Sequence, residues 1–217
     1  MFENQTIGDA AYEQIKHDII HLVLAPGEKL SEASLAKKYN ISRAPIRVAL
    51  RRLNEEGLIE IRPQSGSIVM PISVERALDI IVVRLLLEPY AVTLAVPHIT
   101  DEDIAHLDEM FMRLDYMEPG SQERSRFISV VDIELHHLLQ HRSGNAIIPE
   151  IIDRYASEIQ RIRRANIQWK NRMNPSEQEM RHIFAAIKNR DVQETTQAMR
   201  FHLSKIRDAL LALPTQE

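Results

Sequence analysis

The chain has 217 residues, 44% hydrophobic and 27% charged, an ordinary globular composition with length for one large core or two modest ones. With no cysteine it can form neither disulfides nor thiolate metal sites, and with a net charge of −4 any basic surface must be local. Its six glycines build no phosphate-cradling loop or nucleophile elbow, Met1-Phe2-Glu3-Asn4-Gln5 does not read as a secretory signal, and the most apolar run, 77–96, is interrupted by Asp79, Arg84 and Glu88, which predicts no membrane span.

The pattern predicts a helix from about Ser31 to Tyr39, a turn at Asn40-Ile41 and a second helix opening at Ser42. Ser42 can cap that helix, and Pro45 is tolerated in its first turn because the N–H it lacks would have had no intrahelical partner there. Ile46, Ala49, Leu50 and Leu53 recur at three- and four-residue spacing and supply a buried face, whereas Arg43, Arg47 and Arg51, each four apart, share the opposite one. Gly57 stops the helix. Residues 58–62 and 67–70 then flank the turn Pro63-Gln64-Ser65-Gly66 as a two-stranded wing.

Between residues 37 and 52 there are six Lys or Arg and no Asp or Glu. A charge run that short is usually only a solvated helix face. Here it coincides with helix, turn, helix and wing, so double-stranded DNA is the partner predicted, with guanidinium groups reaching guanine O6/N7 edges or phosphates. The DNA-facing set is Ser34, Lys37, Ser42, Arg43, Ala44, Pro45, Arg47, Arg51 and Arg52, with Gln64, Ser65 and Gly66 at the wing tip. A cytoplasmic location follows from that reading alone.

After Pro71 the strand signals end and helices follow. The first runs from about Val74 to Ala95, with Pro89 predicting a kink or break near Leu87. Thr100 with Asp103 opens the second, which Pro119-Gly120 closes; Ser121 caps the third, which ends at Ser143-Gly144-Asn145. A fourth spans about Ala146 to Lys170 on the stripe Ile148, Ile151, Ile152, Tyr155, Ile159 and Ile162. Asn174-Pro175 starts the fifth, and Asp191 with Glu194 opens the sixth, which continues to about Leu213. The expected fold is mainly α: a winged helix-turn-helix over residues 1–72, then an antiparallel bundle of about six helices over 73–217.

Within the bundle, Asp132 and His136 stand four apart in the apolar stripe of Ile128, Leu135 and Leu139, and His202 sits within Met199, Leu203 and Ile206. His182 precedes the Asp191 turn by nine residues and His202 follows it by eleven, so the two lie at similar heights on antiparallel helices. Three imidazoles and a carboxylate converging there would chelate a divalent metal: zinc, nickel, manganese or iron all suit the donors. The plainer reading, hydrogen-bonded core histidines, stands level with it on pattern alone. His137 and His141 repeat the four-residue spacing on a more polar face without a carboxylate.

Several segments carry a family resemblance: Leu24-Ala25-Pro26-Gly27-Glu28-Lys29-Leu30-Ser31-Glu32, Ile41-Ser42-Arg43-Ala44-Pro45-Ile46-Arg47, Gly57-Leu58-Ile59 and Gly66. With them, residues 11–72 resemble a GntR-family winged helix. The remainder resembles the FCD ligand-sensing domain of the FadR-like branch, on Arg84 with Glu88, Asp132-x-x-x-His136 followed by Ser143-Gly144-Asn145, and the two later histidines. The resemblance implies metal ligation by Asp132, His136, His182 and His202, and a homodimer built by the helical domains that addresses a pseudo-palindromic operator. It departs from the family at Ala33, Val48 and Ser65, which leaves the operator sequence open and the binding mode intact.

The functional expectation is a DNA-binding transcriptional regulator, a repressor, whose effector is a small organic or sugar acid drawn to the metal and to Arg84. Arg84 with Glu88 at i,i+4 reads equally as a structural ion pair, and Arg163 is a further effector candidate. Two rivals are a metal-dependent hydrolase, for which no second carboxylate accompanies Asp132 on its inward stripe, and a non-DNA interaction module, against which the unopposed arginines argue.

Overall fold

The computed structural model describes residues 6–62, 66–165 and 173–212, the side chains at 163–165 and 173 excepted. These residues form two compact units, which are taken separately.

The first unit is built from α1 (Ile7–Ile20), β1 (Lys29–Leu30), α2 (Glu32–Tyr39), α3 (Arg43–Glu55), β2 (Ile59–Arg62) and β3 (Gly66–Val69), together with a later helix of the chain, α8 (Ala156–Ala165). Thr6 starts α1 with a capping box to Asp9, and Ser31 caps α2 by accepting from the Ser34 amide. Ser42 stands at the N-cap of α3 but makes no side-chain cap bond, contrary to expectation. The three helices close over Tyr12, Ile15, Ile19, Leu35, Ile46, Ala49, Leu50 and Leu53, with Leu58, Ile59 and Val69 from the strands. The strands run antiparallel in the order β1-β3-β2, with Arg62 opposite Gly66. At Gly66, φ is +85° and an added Cβ would lie 2.8 Å from the Leu30 carbonyl oxygen, so both backbone conformation and the neighbouring strand require glycine.

The second unit contains α4 (Val74–Ala95), a 3-10 turn (Val96–His98), α5 (Asp101–Asp115), α6 (Gln122–Arg142), α7 (Ile147–Asp153), α9 (Met173–Lys188) and α10 (Val192–Leu211). α10 packs along α4 and α9, and α4 also packs on α6. Capping by Thr100, Ser121 and Asp191 occurs where the sequence predicts it. α4 continues through Pro89 without the break expected near Leu87, and Pro89, Ala91 and Val92 beyond it are all buried. Burial of that segment offsets the hydrogen bond the proline cannot donate. By length and composition the stretch Val74–His98 could cross a membrane, a wider result than the interrupted run suggested; half of its most apolar window is buried inside the protein.

Over its described part the single helix predicted for 146–170 is instead two, interrupted at Arg154-Tyr155, and residues 166–170 lie outside the described residues. Ile148 and Ile152 pack under α4, with Ala91 and Leu87. α8 instead packs on α1 of the first unit, where the buried Arg161 donates to the Met70 carbonyl.

Candidate nucleic-acid interface and candidate metal centre

The periodicity of α3 sorts its side chains by solvent access. Ile46, Ala49, Leu50 and Leu53 are buried, while Arg43, Ala44, Arg47 and Arg51 are exposed and Pro45 is half-buried. Ser34 and Lys37 of α2, Ser42 and Gly66 are exposed as well. Gln64 and Ser65 lie outside the described residues.

Two arginines of α3 are already engaged. Arg52, expected to be free for phosphate, is half-buried; it bonds Asp9 at 2.7 Å and stacks 3.8 Å above the Tyr12 ring, both on α1. Arg47 donates Nε and Nη2 to the two carboxylate oxygens of Glu32, each at 2.8 Å. That pairing holds the Glu32 carboxyl below its usual range and raises Arg47. Glu32 was not among the predicted site residues. Its signal was an acid at the first turn of the helix before the arginine helix.

In the second unit, α6 carries Asp132 and His136 inward and α10 carries His202 inward, all three buried. One ligand atom from each lies within 4.8 Å of the others. The Asp132 Oδ1 atom is 3.2 Å from His202 Nε2 and 3.7 Å from His136 Nε2. Neither Nε2 has a hydrogen-bond partner. Each ring is held from behind through Nδ1: His136 by Glu88 at 2.5 Å, His202 by Glu179 at 2.8 Å. A carboxylate at Nδ1 draws a ring proton there, so in the neutral ring Nε2 is the nitrogen left free to ligate.

His182, the fourth predicted ligand, is not brought to this cluster. It is exposed on α9 and its Nε2 pairs with Glu194 at 2.5 Å. The inward stripe of α9 is Met180, Ile183, Phe184 and Ile187, and His182 falls off it. The α9 residue that reaches His202 is Glu179, which sequence reasoning missed. His137 and His141 lie exposed on α6, rings 3.9 Å apart, outside the cluster.

Arg84 and Glu88 are both buried on α4, joined Nε to Oε1 at 2.5 Å, and Arg84 Nη2 also lies 3.4 Å from His136 Nδ1. The pair is therefore an ion pair that also orients His136. Burial opposes the charge on Glu88, but Arg84 and His136 outweigh it and hold the carboxyl well below its usual range. At His136 burial dominates and lowers the imidazole; at His202 the Asp132 and Glu179 carboxylates overcome burial and raise it. The Arg163 side chain lies outside the described residues.

A winged helix-turn-helix with an arginine-faced helix, carried on one chain with a helical unit enclosing an Asp/His cluster, defines a class: one-chain bacterial transcription regulators. Residues 7–69 match the bacterial regulatory proteins of the gntR family and residues 79–205 match the FCD domain. The chain belongs to that family. It is 28% identical over 211 residues to the HTH-type transcriptional repressor RspR of Escherichia coli, covering 95% of this chain and 90% of that protein. It is 31% identical over 189 residues to the Nta operon transcriptional regulator of Aminobacter aminovorans, covering 87% of each. Among solved structures, Escherichia coli McbR/YncC superposes with a TM-score of 0.75 at 22% identity over 95% of this chain and 97% of that one. A GntR regulator from Rhodococcus sp. RHA1 gives 0.79 at 18%, covering 95% and 99%. These relatives are regulators and not enzymes, and the chain is a DNA-binding transcriptional regulator of the GntR/FCD type.

Proposed function

We propose that this regulator is a cytoplasmic, homodimeric repressor that binds a pseudo-palindromic operator through α3 and the wing, and is modulated by a small carboxylic acid in a metal-containing helical domain. Residues 1–72 are then the DNA-binding domain and residues 73–217 the effector-binding and dimerisation domain. The description of RspR as a repressor supports the sign of regulation.

The observation that carries the metal is a buried cluster in which one ligand atom each of Asp132, His136 and His202 lies within 4.8 Å of the others while neither Nε2 has a hydrogen-bond partner. Metal–ligand bonds to such donors are about 2.0–2.2 Å, so donors around one ion should stand roughly 3–3.5 Å apart; the Asp132 oxygen lies 3.2 and 3.7 Å from the two Nε2 atoms, and the three donors lie within 4.8 Å of one another. The residues fit an ion held by Asp132, His136 and His202, with Glu88 and Glu179 fixing the two rings. Zinc suits these donors first, and nickel, manganese or iron also match two imidazoles and a carboxylate. Such an ion supplies a positive centre for a carboxylate ligand. Arg84 contributes by holding Glu88, and through it the His136 ring; its guanidinium is already committed to that pair.

The test has two arms on the full-length protein. Elemental analysis as purified should find one divalent ion per chain, and a gel shift on DNA flanking its own gene should show a complex weakened by salt. The proposal fails if Arg43→Ala and Lys37→Ala leave that salt dependence unchanged, because phosphate contacts release counterions in proportion to the charges involved. It fails for the metal if the protein purifies without an ion and no divalent ion changes its thermal melting.

A further inference from the structure

We infer that Glu32 is a specificity-determining positioning residue: it buttresses Arg47 so that one fixed edge of the guanidinium meets a guanine. The inference rests on the reading of α3 as the helix that contacts DNA.

The geometry is side-on. Glu32 takes Nε–H and one N–H of Nη2, both at 2.8 Å, with its two oxygens. A guanidinium has five N–H donors in a planar fork. With the Nε edge occupied, the end formed by Nη1 and the other proton of Nη2 remains available for the O6 and N7 of guanine. Glu32 itself is held in place: it lies in the first turn of α2, behind the Ser31 cap, where the helix N-terminus favours its charge. Its side chain is half-buried while that of Arg47 is largely exposed, so the carboxylate anchors and the arginine is anchored.

An unrestrained arginine must give up rotamer freedom when it docks on a base, and can as easily meet a phosphate. Fixing it beforehand removes that cost for guanine and withholds the guanidinium from non-specific positions. A carboxylate at a DNA-facing surface otherwise repels phosphate, so its presence beside Arg47 favours selectivity over affinity.

The probe is a duplex enriched from a random library by the wild-type full-length protein, compared with the same duplex carrying single guanine replacements and with random DNA. Glu32→Gln should narrow the preference for the guanine read by Arg47 by roughly tenfold, about half the range a bidentate pair commands, while binding to random DNA holds or tightens. Glu32→Asp should retain part of the preference, and Glu32→Gln should have no further effect in an Arg47→Ala background. Two results overturn the inference: unchanged guanine preference in Glu32→Gln and Glu32→Ala, or equal tightening on enriched and random DNA, which makes the pair a simple electrostatic brake. If Arg47→Ala keeps full guanine preference, the reading of α3 beneath it fails instead.

Discussion

Replacing Glu179 by Gln tests whether the Asp132/His136/His202 cluster works as a metal centre, because Glu179 meets the His202 ring at Nδ1 and not at the proposed ligand atom Nε2. Glu179 bonds the far nitrogen of His202, Nδ1, at 2.8 Å. Losing such an outer carboxylate typically weakens metal affinity about 10–100-fold. If free ion is set at about 100 times the wild-type dissociation constant, binding stabilises the wild type by about 2.7 kcal/mol, and the Glu179→Gln protein by only about 0.4–1.4 kcal/mol. For a unit of this size these values correspond to melting shifts of roughly 5–11 °C and 1–6 °C on adding metal to chelator-treated protein. His202→Ala should abolish the shift and the bound ion, and His182→Ala should leave both at wild-type values. Differential scanning fluorimetry with elemental analysis reads all four proteins. The reasoning is refuted if Glu179→Gln shifts as far as wild type, or if His182→Ala loses the ion while His202→Ala keeps it.

Gly66→Ala places a Cβ 2.8 Å from the Leu30 carbonyl oxygen at a φ of +85°, and should cost about 1–3 kcal/mol and weaken DNA binding, as measured by thermal melting and gel shift. Glu177 joins Arg124 of α6 at 2.9 and 2.8 Å and Arg181 of its own helix at 3.0 Å; Glu177→Ala removes this carboxylate from the largely buried Arg124, whose Nη1 still donates to the Leu114 carbonyl, and should cost about 1–3 kcal/mol in urea unfolding. Asp18 is buried under Lys38 at 2.8 Å and Tyr39 at 3.0 Å, and these donors overcome burial to hold its carboxyl below the usual range. That contribution is fully present above the ordinary carboxylate range and is lost as pH falls through the lowered folded-state value, so Asp18→Asn should cost about 1–2 kcal/mol at pH 7, allowing for the exposure of Lys38, and progressively less as pH falls below the ordinary carboxylate range. Melting curves across pH check the convergence.

Sequence alone determined the elements whose signals are local. Ser31, Thr100, Ser121 and Asp191 cap helices because a short polar side chain satisfies amides only two or three residues away. The faces of α3 and α6 follow from a 3.6-residue period, which needs no knowledge of the partner that buries them, and so Ile46, Leu50, Asp132 and His136 could be placed inside. The same period, applied to α9, excludes His182 from the inward stripe of Met180, Ile183, Phe184 and Ile187; matching heights along two helices says nothing of angle around them.

Tertiary structure decided which groups meet across elements. That Glu179 holds His202, that Glu88 on α4 holds His136 on α6, and that Asp9 on α1 claims Arg52 on α3 are contacts between residues 23, 48 and 43 positions apart. No local pattern encodes such pairings. The same applies to the break between α7 and α8: one apolar stripe runs through both, but Ile148 and Ile152 are buried under α4 whereas α8 packs on α1. A stripe records that a face is buried, and only the assembled fold determines against what.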